Sequence, residues 1–337
     1  METARKRKLT GEGVMTRKQE KLAGAKKLLR VCGQVEAGEE VLVVCDPTTK
    51  GLAEIIAEAA VQLNAVPVIA QMPPRVRDGQ EPPESIAAAM LKATIVLTPV
   101  SRSITHTHAV QETVAKGGRA LVLTQWNEDF LVEGGIGADF PAIRPTCLAL
   151  GEAFERASRV RVTAPGGTEL TFDARGRPGN ALTCIVGPGE FSPVPTIEAN
   201  VSPVEGSAEG VVVADVSIPY ADIGVLDEPV RAVIEGGMVT AIEGGRQAEQ
   251  LDSTLRSFDD PMCFNVAELG IGMNPAASVN GFMLEDEAVA RTAHLGIGTS
   301  ITLGGTVKAA SHYDLLFWHP TVEVDGEVVV RDGEVLL

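Results

Sequence analysis

The sequence predicts an α/β fold: a mostly parallel, doubly wound sheet in the N-terminal half and a β-rich, α+β half behind it. Three observations carry this. Short apolar runs alternate with helically spaced segments between residues 40 and 124. Near residue 158 the texture changes to β-branched residues and glycine turns. At 337 residues the chain has room for two domains of ordinary size. We expect a boundary near 155, with an α/β N-terminal domain over 1–155 and a β-rich C-terminal domain over 156–337.

The basic N-terminus (Arg5, Lys6, Arg7, Lys8, then Arg17, Lys18, Lys21) reads as a solvated tail entering a first helix, since it lacks the apolar core of a secretory signal. Val41 to Cys45 is a continuous apolar run, as expected of a strand buried on both faces. Thr49 to Asn64 has helical spacing, Val66 to Ala70 is apolar again, and Pro83 to Lys92 is a helix with a proline start. Thr94 to Leu97, His108 to Lys116 and Ala120 to Leu123 complete the alternation as strand, helix and strand. No Gly-x-Gly-x-x-Gly or Gly-Lys-Ser/Thr loop follows a strand, so the nucleotide-binding signatures are missing. Behind the boundary, Val230 to Glu243 reads as two strands joined at Gly236-Gly237, Ala248 to Ser257 as a helix, and Thr321 to Leu337 as hairpins turning at Asp325-Gly326 and Asp332-Gly333.

Composition narrows the function. Lys and Arg total 29 against 45 Asp and Glu, a formal charge of −16. So acidic a surface repels phosphate backbones, which argues against nucleic-acid binding, and it attracts divalent cations. Aromatic residues make up only 4%, too few for base-stacking platforms. No apolar stretch is long enough to span a bilayer. The cysteines (Cys32, Cys45, Cys147, Cys184, Cys263) are scattered and read as buried thiols of a reducing, cytoplasmic compartment.

The ionisable residues that could carry chemistry gather late in the chain. Ala267-Glu268-Leu269-Gly270-Ile271-Gly272 recurs 26 residues on as Ala293-His294-Leu295-Gly296-Ile297-Gly298. We expect two similar strand ends that turn at glycines, with Glu268 and His294 in matching positions. On a strand, His312 and Asp314 share a face and together offer an imidazole and a carboxylate to one divalent ion; alternatively they form a hydrogen bond that caps the strand. Glu198, Glu205 and Glu209 precede them, and Glu285-Asp286-Glu287 reads as a solvated acidic loop of which one member could turn inward. Several buried carboxylates cost stability unless a cation balances them. His106 and His108 follow the strand ending at Leu97, where open α/β sheets bind ligands; Ser and Thr there can equally cap the next helix.

Taken together, Glu268-Leu-Gly-Ile-Gly-Met-Asn-Pro275, Glu285-Asp-Glu287, Thr292-Ala-His294-Leu-Gly-Ile-Gly298 and Gly304-Gly-Thr-Val-Lys-Ala-Ala-Ser-His312-Tyr-Asp314 resemble the aminopeptidase T family of metalloexopeptidases. Pro195-Thr-Ile-Glu198 resembles that family's Pro-x-Gly-Glu segment, with Ile197 in place of the glycine. The resemblance covers residues 160–337 strongly and the N-terminal half in layout. It implies a metal-binding C-terminal domain with two divalent ions (Zn, Co or Mn) held by Glu198, Glu268, His294, His312 and Asp314. Glu287 is the nearest match to one further family acid. It also implies a homodimer and a hydrolase that releases N-terminal amino acids from short peptides by metal-activated water, with a carboxylate such as Glu198 or Glu268 taking the water's proton. The same superfamily contains the 2,5-dihydroxypyridine dioxygenases, which open an aromatic ring with one non-haem Fe(II). There a histidine stands at the Glu268 position, whereas the His-x-Asp pair is shared and Thr105-His106 looks like theirs. That alternative implies Fe(II), a small aromatic substrate such as a dihydroxypyridine or catechol, and His106 as acid/base. A third reading, a binder that kept the fold without activity, is motivated by Ile197.

Overall fold

A computed structural model describes residues 15–105, 107–220 and 223–337. The expected N-terminal alternation is present. Helix α1 (Arg17–Lys27) starts at Thr16, whose side chain caps Gln19 N–H in a capping box; Arg5 to Lys8 lie outside the described residues. Strands β1 (Glu40–Cys45), β2 (Val66–Gln71), β3 (Ile95–Thr98) and β4 (Arg119–Val122) alternate with helices α2 (Lys50–Gln62), α3 (Glu84–Met90) and α4 (His108–Ala115). They form a parallel sheet in the order β2-β1-β3-β4, extended by Phe191–Pro193 alongside β4. The fifth strand of this sheet is therefore drawn from well beyond residue 155.

The continuous apolar run of β1 reflects burial on two faces. Val41, Val43 and Cys45 enter one core with Leu52, Ile56 and Ala60 of α2, while Leu42 and Val44 enter another with Ile86, Met90 and Val110. The first of these cores continues without interruption into the second half of the molecule, through Phe140, Leu150 and Phe154 of α5 (Phe140–Glu155) to Val160, Leu269 and Phe317.

That half is built on two antiparallel sheets. An eight-stranded sheet has the order 238–243, 230–235, 209–214, 169–173, 159–163, 321–324, 327–331 and 334–335. It contains the expected hairpins; Asp325 and Gly326 turn at φ 51° and 89°, the left-handed conformation that Asp-Gly supplies readily. Helix α6 (Arg246–Ser257) packs against its edge. The second sheet has five strands: β5 (Gly179–Leu182), β6 (Glu198–Val201), β7 (Val266–Gly272), β8 (Thr292–Gly298) and β9 (His312–Trp318), in the order β9-β8-β7-β6-β5. Its alternate residues Ala199, Val201, Leu269, Ile271, Leu295, Ile297, Leu315 and Phe317 face the core, and α5 packs closely on β5 where Gly151 meets Ala181. All five cysteines are free and buried. Among the described residues no helix is long and apolar enough to cross a membrane.

Candidate metal centre

Because side chains alternate along a strand, the residues left over from the apolar face of the second sheet share its opposite face. These are Glu198 and Asn200 on β6, Glu268, Gly270 and Gly272 on β7, His294 and Gly296 on β8, and His312 and Asp314 on β9. The register brings them together. Gly270 pairs with His294 and Gly296 with Glu268, while Gly272 pairs with Glu198 and Gly296 with Asp314. The repeated Leu-Gly-Ile-Gly segments are thus strand interiors rather than the glycine turns expected from sequence. A Cβ on Gly270 would run into the His294 imidazole, and one on Gly296 would lie 2.8 Å from both Glu268 Cβ and His312 Cε1. Each glycine vacates the space that the ionisable residue of the neighbouring strand occupies.

Five of the expected residues converge as two triplets, Glu198–Glu268–His294 and Glu268–His312–Asp314, whose donor atoms within each triplet lie within 4.8 Å of one another. Glu268 belongs to both. His312 Nε2 stands 3.1 Å from Glu268 Oε2 and 3.2 Å from Asp314 Oδ1, and His294 Nε2 stands 3.7 Å from Glu198 Oε2 and 4.0 Å from Glu268 Oε1. The side chains of Glu198, Glu268, His294 and Asp314 are 2–6% exposed and that of His312 22%, so His312 is the most exposed of the five.

These groups strain one another's charge. Burial, followed by the charge of Glu268, pushes the Glu198 carboxyl well above the usual carboxylate range, and burial with Asp314 and Glu198 does the same to Glu287. Burial opposes charge on His312 and Asp314 as well, but their mutual attraction wins, raising the imidazole and lowering the carboxyl. Cations placed among such acids would relieve the repulsion. The donor set, carboxylate oxygens with imidazole nitrogens, suits Zn, Mn, Co or Fe. His312 has the orientation expected of a ligand: Nδ1 faces the Thr299 carbonyl at 2.8 Å, which leaves Nε2 for the centre. Among the described residues, His294 Nδ1 is buried without a hydrogen-bond partner. The residues therefore fit divalent ions.

Other expected residues lie elsewhere or play other parts. His106 lies outside the described residues. Thr107 caps α4 by accepting from Val110 N–H, the capping role open to this segment. Glu205 pairs with Arg177 and accepts from Thr306, and Glu209 accepts from Gly236 N–H. The acidic triplet is buried rather than solvated. Glu285 accepts from Gly135 and Ser278 N–H at 2.7 and 3.2 Å, and Asp286 accepts from Asn280 N–H at 2.7 Å. These bonds point Glu287 inward. Tyr220, which the sequence did not single out, places its hydroxyl 3.1 Å from Asp314 Oδ2 and 3.2 Å from Glu287 Oε1. A hydroxyl carries one proton, so it donates to one carboxyl at a time. The signal available was slight: it is one of two tyrosines in the chain.

Comparison with known proteins gives a consistent set. A family model described as NicX, 2,5-dihydroxypyridine 5,6-dioxygenase, matches residues 22–337. A 2,5-dihydroxypyridine 5,6-dioxygenase of Pseudomonas putida is 28% identical over 146 residues, 40% of this chain and 41% of that protein, so the alignment spans about two-fifths of the relative's length. The solved structure of the P. putida KT2440 2,5-dihydroxypyridine dioxygenase superposes with a TM-score of 0.81 at 20% identity, covering 96% of this chain and 98% of that one. Wild-type AmpT of Thermus thermophilus superposes with a TM-score of 0.70 at 16% identity, covering 96% and 100%.

Proposed function

The chain belongs to the 2,5-dihydroxypyridine 5,6-dioxygenase family, and we propose that it is a metal-dependent hydrolase of the aminopeptidase type carried on this family's fold. One observation carries the reading: Glu268 is common to both triplets, and neither triplet contains both histidines. A one-iron site of two imidazoles and a carboxylate needs both imidazoles on one ion. Here each imidazole goes with its own carboxylate, and Glu268 lies between, an arrangement suited to two ions that share a bridging carboxylate.

Divalent ions bound there would polarise a scissile carbonyl and lower the pKa of a water. The chain's own residues supply the rest. Glu198 Oε1 accepts from Asn200 Nδ2 at 2.6 Å, which leaves Oε2 to face the ions, and a carboxylate of the centre, Glu198 or Glu268, would take the attacking water's proton. His312, the most exposed of the five, borders the path by which a short peptide enters. The buried carboxylates of the centre would attract the peptide's free ammonium group. The homodimer implied by the family resemblance belongs to the same reading.

A second reading, ring cleavage of a dihydroxypyridine-like or catechol-like aromatic with Fe(II), is favoured by the family itself and by the P. putida relative. The test runs both assays on one preparation. Protein loaded with Zn, Co or Mn should release nitroaniline from aminoacyl-nitroanilides. Protein loaded anaerobically with Fe(II) should consume no oxygen when given dihydroxypyridines or catechols. Oxygen uptake without peptidase turnover would replace the first reading with the second.

A further inference from the structure

A chain of amides crosses the chemical face of the second sheet. Asn200 donates through Nδ2 to Glu198 Oε1 at 2.6 Å, and Asn180 of β5 donates through Nδ2 to Asn200 Oδ1 at 2.7 Å. Asn180 Nδ2 also lies 3.2 Å from the Leu303 carbonyl. The polarity of the chain is dictated from one end. The Leu303 carbonyl only accepts, so Asn180 presents its NH2 to it and to Asn200 Oδ1, and Asn200 in turn presents its NH2 to Glu198. Oε1 of Glu198 is thereby held by Asn200, and Oε2 faces His294.

The far end of the chain reaches the loop between β8 and β9. Its Thr299 carbonyl meets His312 Nδ1, and its Leu303 carbonyl meets Asn180. Arg177 and Glu205 pin the same loop: Arg177 donates to the Gly304 carbonyl at 2.8 Å and pairs with Glu205, which accepts from Thr306 N–H at 2.7 Å. One loop thus reaches one ligand from each triplet, His312 directly and Glu198 through two amides.

We propose that Asn200 and Asn180 are positioning residues of the centre, and that their amide relay fixes which oxygen of Glu198 faces the ion and ties that choice to the 299–306 loop. This rests on the metal reading above. Hydrogen-bond partners of this kind contribute about 10–100-fold to metal affinity.

The decisive variants are N180A and N180D. Alanine removes the donor to Asn200. Aspartate reverses the polarity, because a carboxylate at 180 only accepts; Asn200 would then turn its NH2 away from Glu198. Position 180 is half-buried, so both changes should leave the fold intact, which circular dichroism checks. Chelator-competition titration with Co(II), followed by visible absorption, reads the affinity of each ion. The ion weakened by E198Q should also be weakened about 10–100-fold by N200A and N180A, and at least as much by N180D, with the other ion unaffected. Variants that all bind as tightly as wild type, or an N180D protein that binds like wild type, would overturn the relay alone. Wild-type protein that takes up no divalent ion would overturn the metal reading and the relay with it.

Discussion

Gly270 and Gly296 each stand opposite an ionisable residue on the neighbouring strand, and the imidazoles of His294 and His312 occupy the volume that a methyl group there would need. G270A should therefore displace His294, abolish ion binding at its triplet, and lower stability by about 1–3 kcal/mol through overpacking. Chemical denaturation and metal titration of the same variant check both effects; normal metal uptake by G270A would contradict the packing account. Y220F removes the hydroxyl between Asp314 and Glu287, and loss of a buried donor there should cost about 1–3 kcal/mol of stability. An unchanged denaturation midpoint would mean that this contact contributes nothing. At this scale the sequence was partly legible. His312 and Asp314 could be picked out because a His-x-Asp pair shares one face of a strand, Glu268 and His294 because their segments repeat, and Glu198 only through the family resemblance. The purpose of the glycines could not, since it depends on antiparallel register: only the pairing of residue 270 with 294 and of 296 with 268 shows what the missing side chains make room for. Tyr220 and the Asn180–Asn200 contact arise from pairings across distant segments that no local pattern encodes.

Elements hold these residues in place from both sides. The turn at 134–137 docks on the 274–287 segment: Asn274 donates to the Gly135 and Pro195 carbonyls at 3.0 and 2.9 Å, and Gly135 N–H donates to Glu285. A side chain at 135 would collide with the Pro195 ring. On the other side, Glu205 staples the 299–306 loop. Burial works against its charge, but Thr306 N–H, the Thr306 hydroxyl and Arg177 outweigh it and bring the carboxyl from 4.5 down to about 2. A carboxyl lowered on folding stabilises the native state fully above its unfolded pKa and ceases to do so as pH falls through its folded one. The stability difference between wild type and E205Q should therefore be largest at neutral pH and shrink from pH 4.5 down to about 2, as urea midpoints measured across that range would read. An equal difference at both ends of the range would contradict it. Strands and helices were visible in the sequence where a continuous apolar run or a sustained period marked them, as in β1, α2 and the terminal hairpins. The acidic triplet was misread as solvated because its hydrogen-bond donors, Gly135 and Asn280 among them, come from other segments.

Across the whole molecule, one sheet divides its two faces between packing and chemistry. The apolar face continues a core that runs back into the N-terminal half, whereas the polar face gathers acids whose burial is unfavourable on its own. The fold class could be anticipated from alternation and composition. The drawing of Phe191–Pro193 into the N-terminal sheet could not, because three residues carry no periodicity. Ions that bind only the folded chain add to stability; at a free concentration of 100 times Kd the gain is about 2.7 kcal/mol per site. Chelator treatment should thus lower the thermal midpoint, and readdition of Zn(II) or Co(II) should restore it. An identical midpoint in both states would deny the linkage. The most direct test counts the ions. Apoprotein reconstituted with Zn(II) or Co(II), freed of excess metal and analysed by inductively coupled plasma mass spectrometry, should hold two ions per chain, because Glu268 serves two triplets. One ion per chain, or none, would contradict a Glu268-bridged pair.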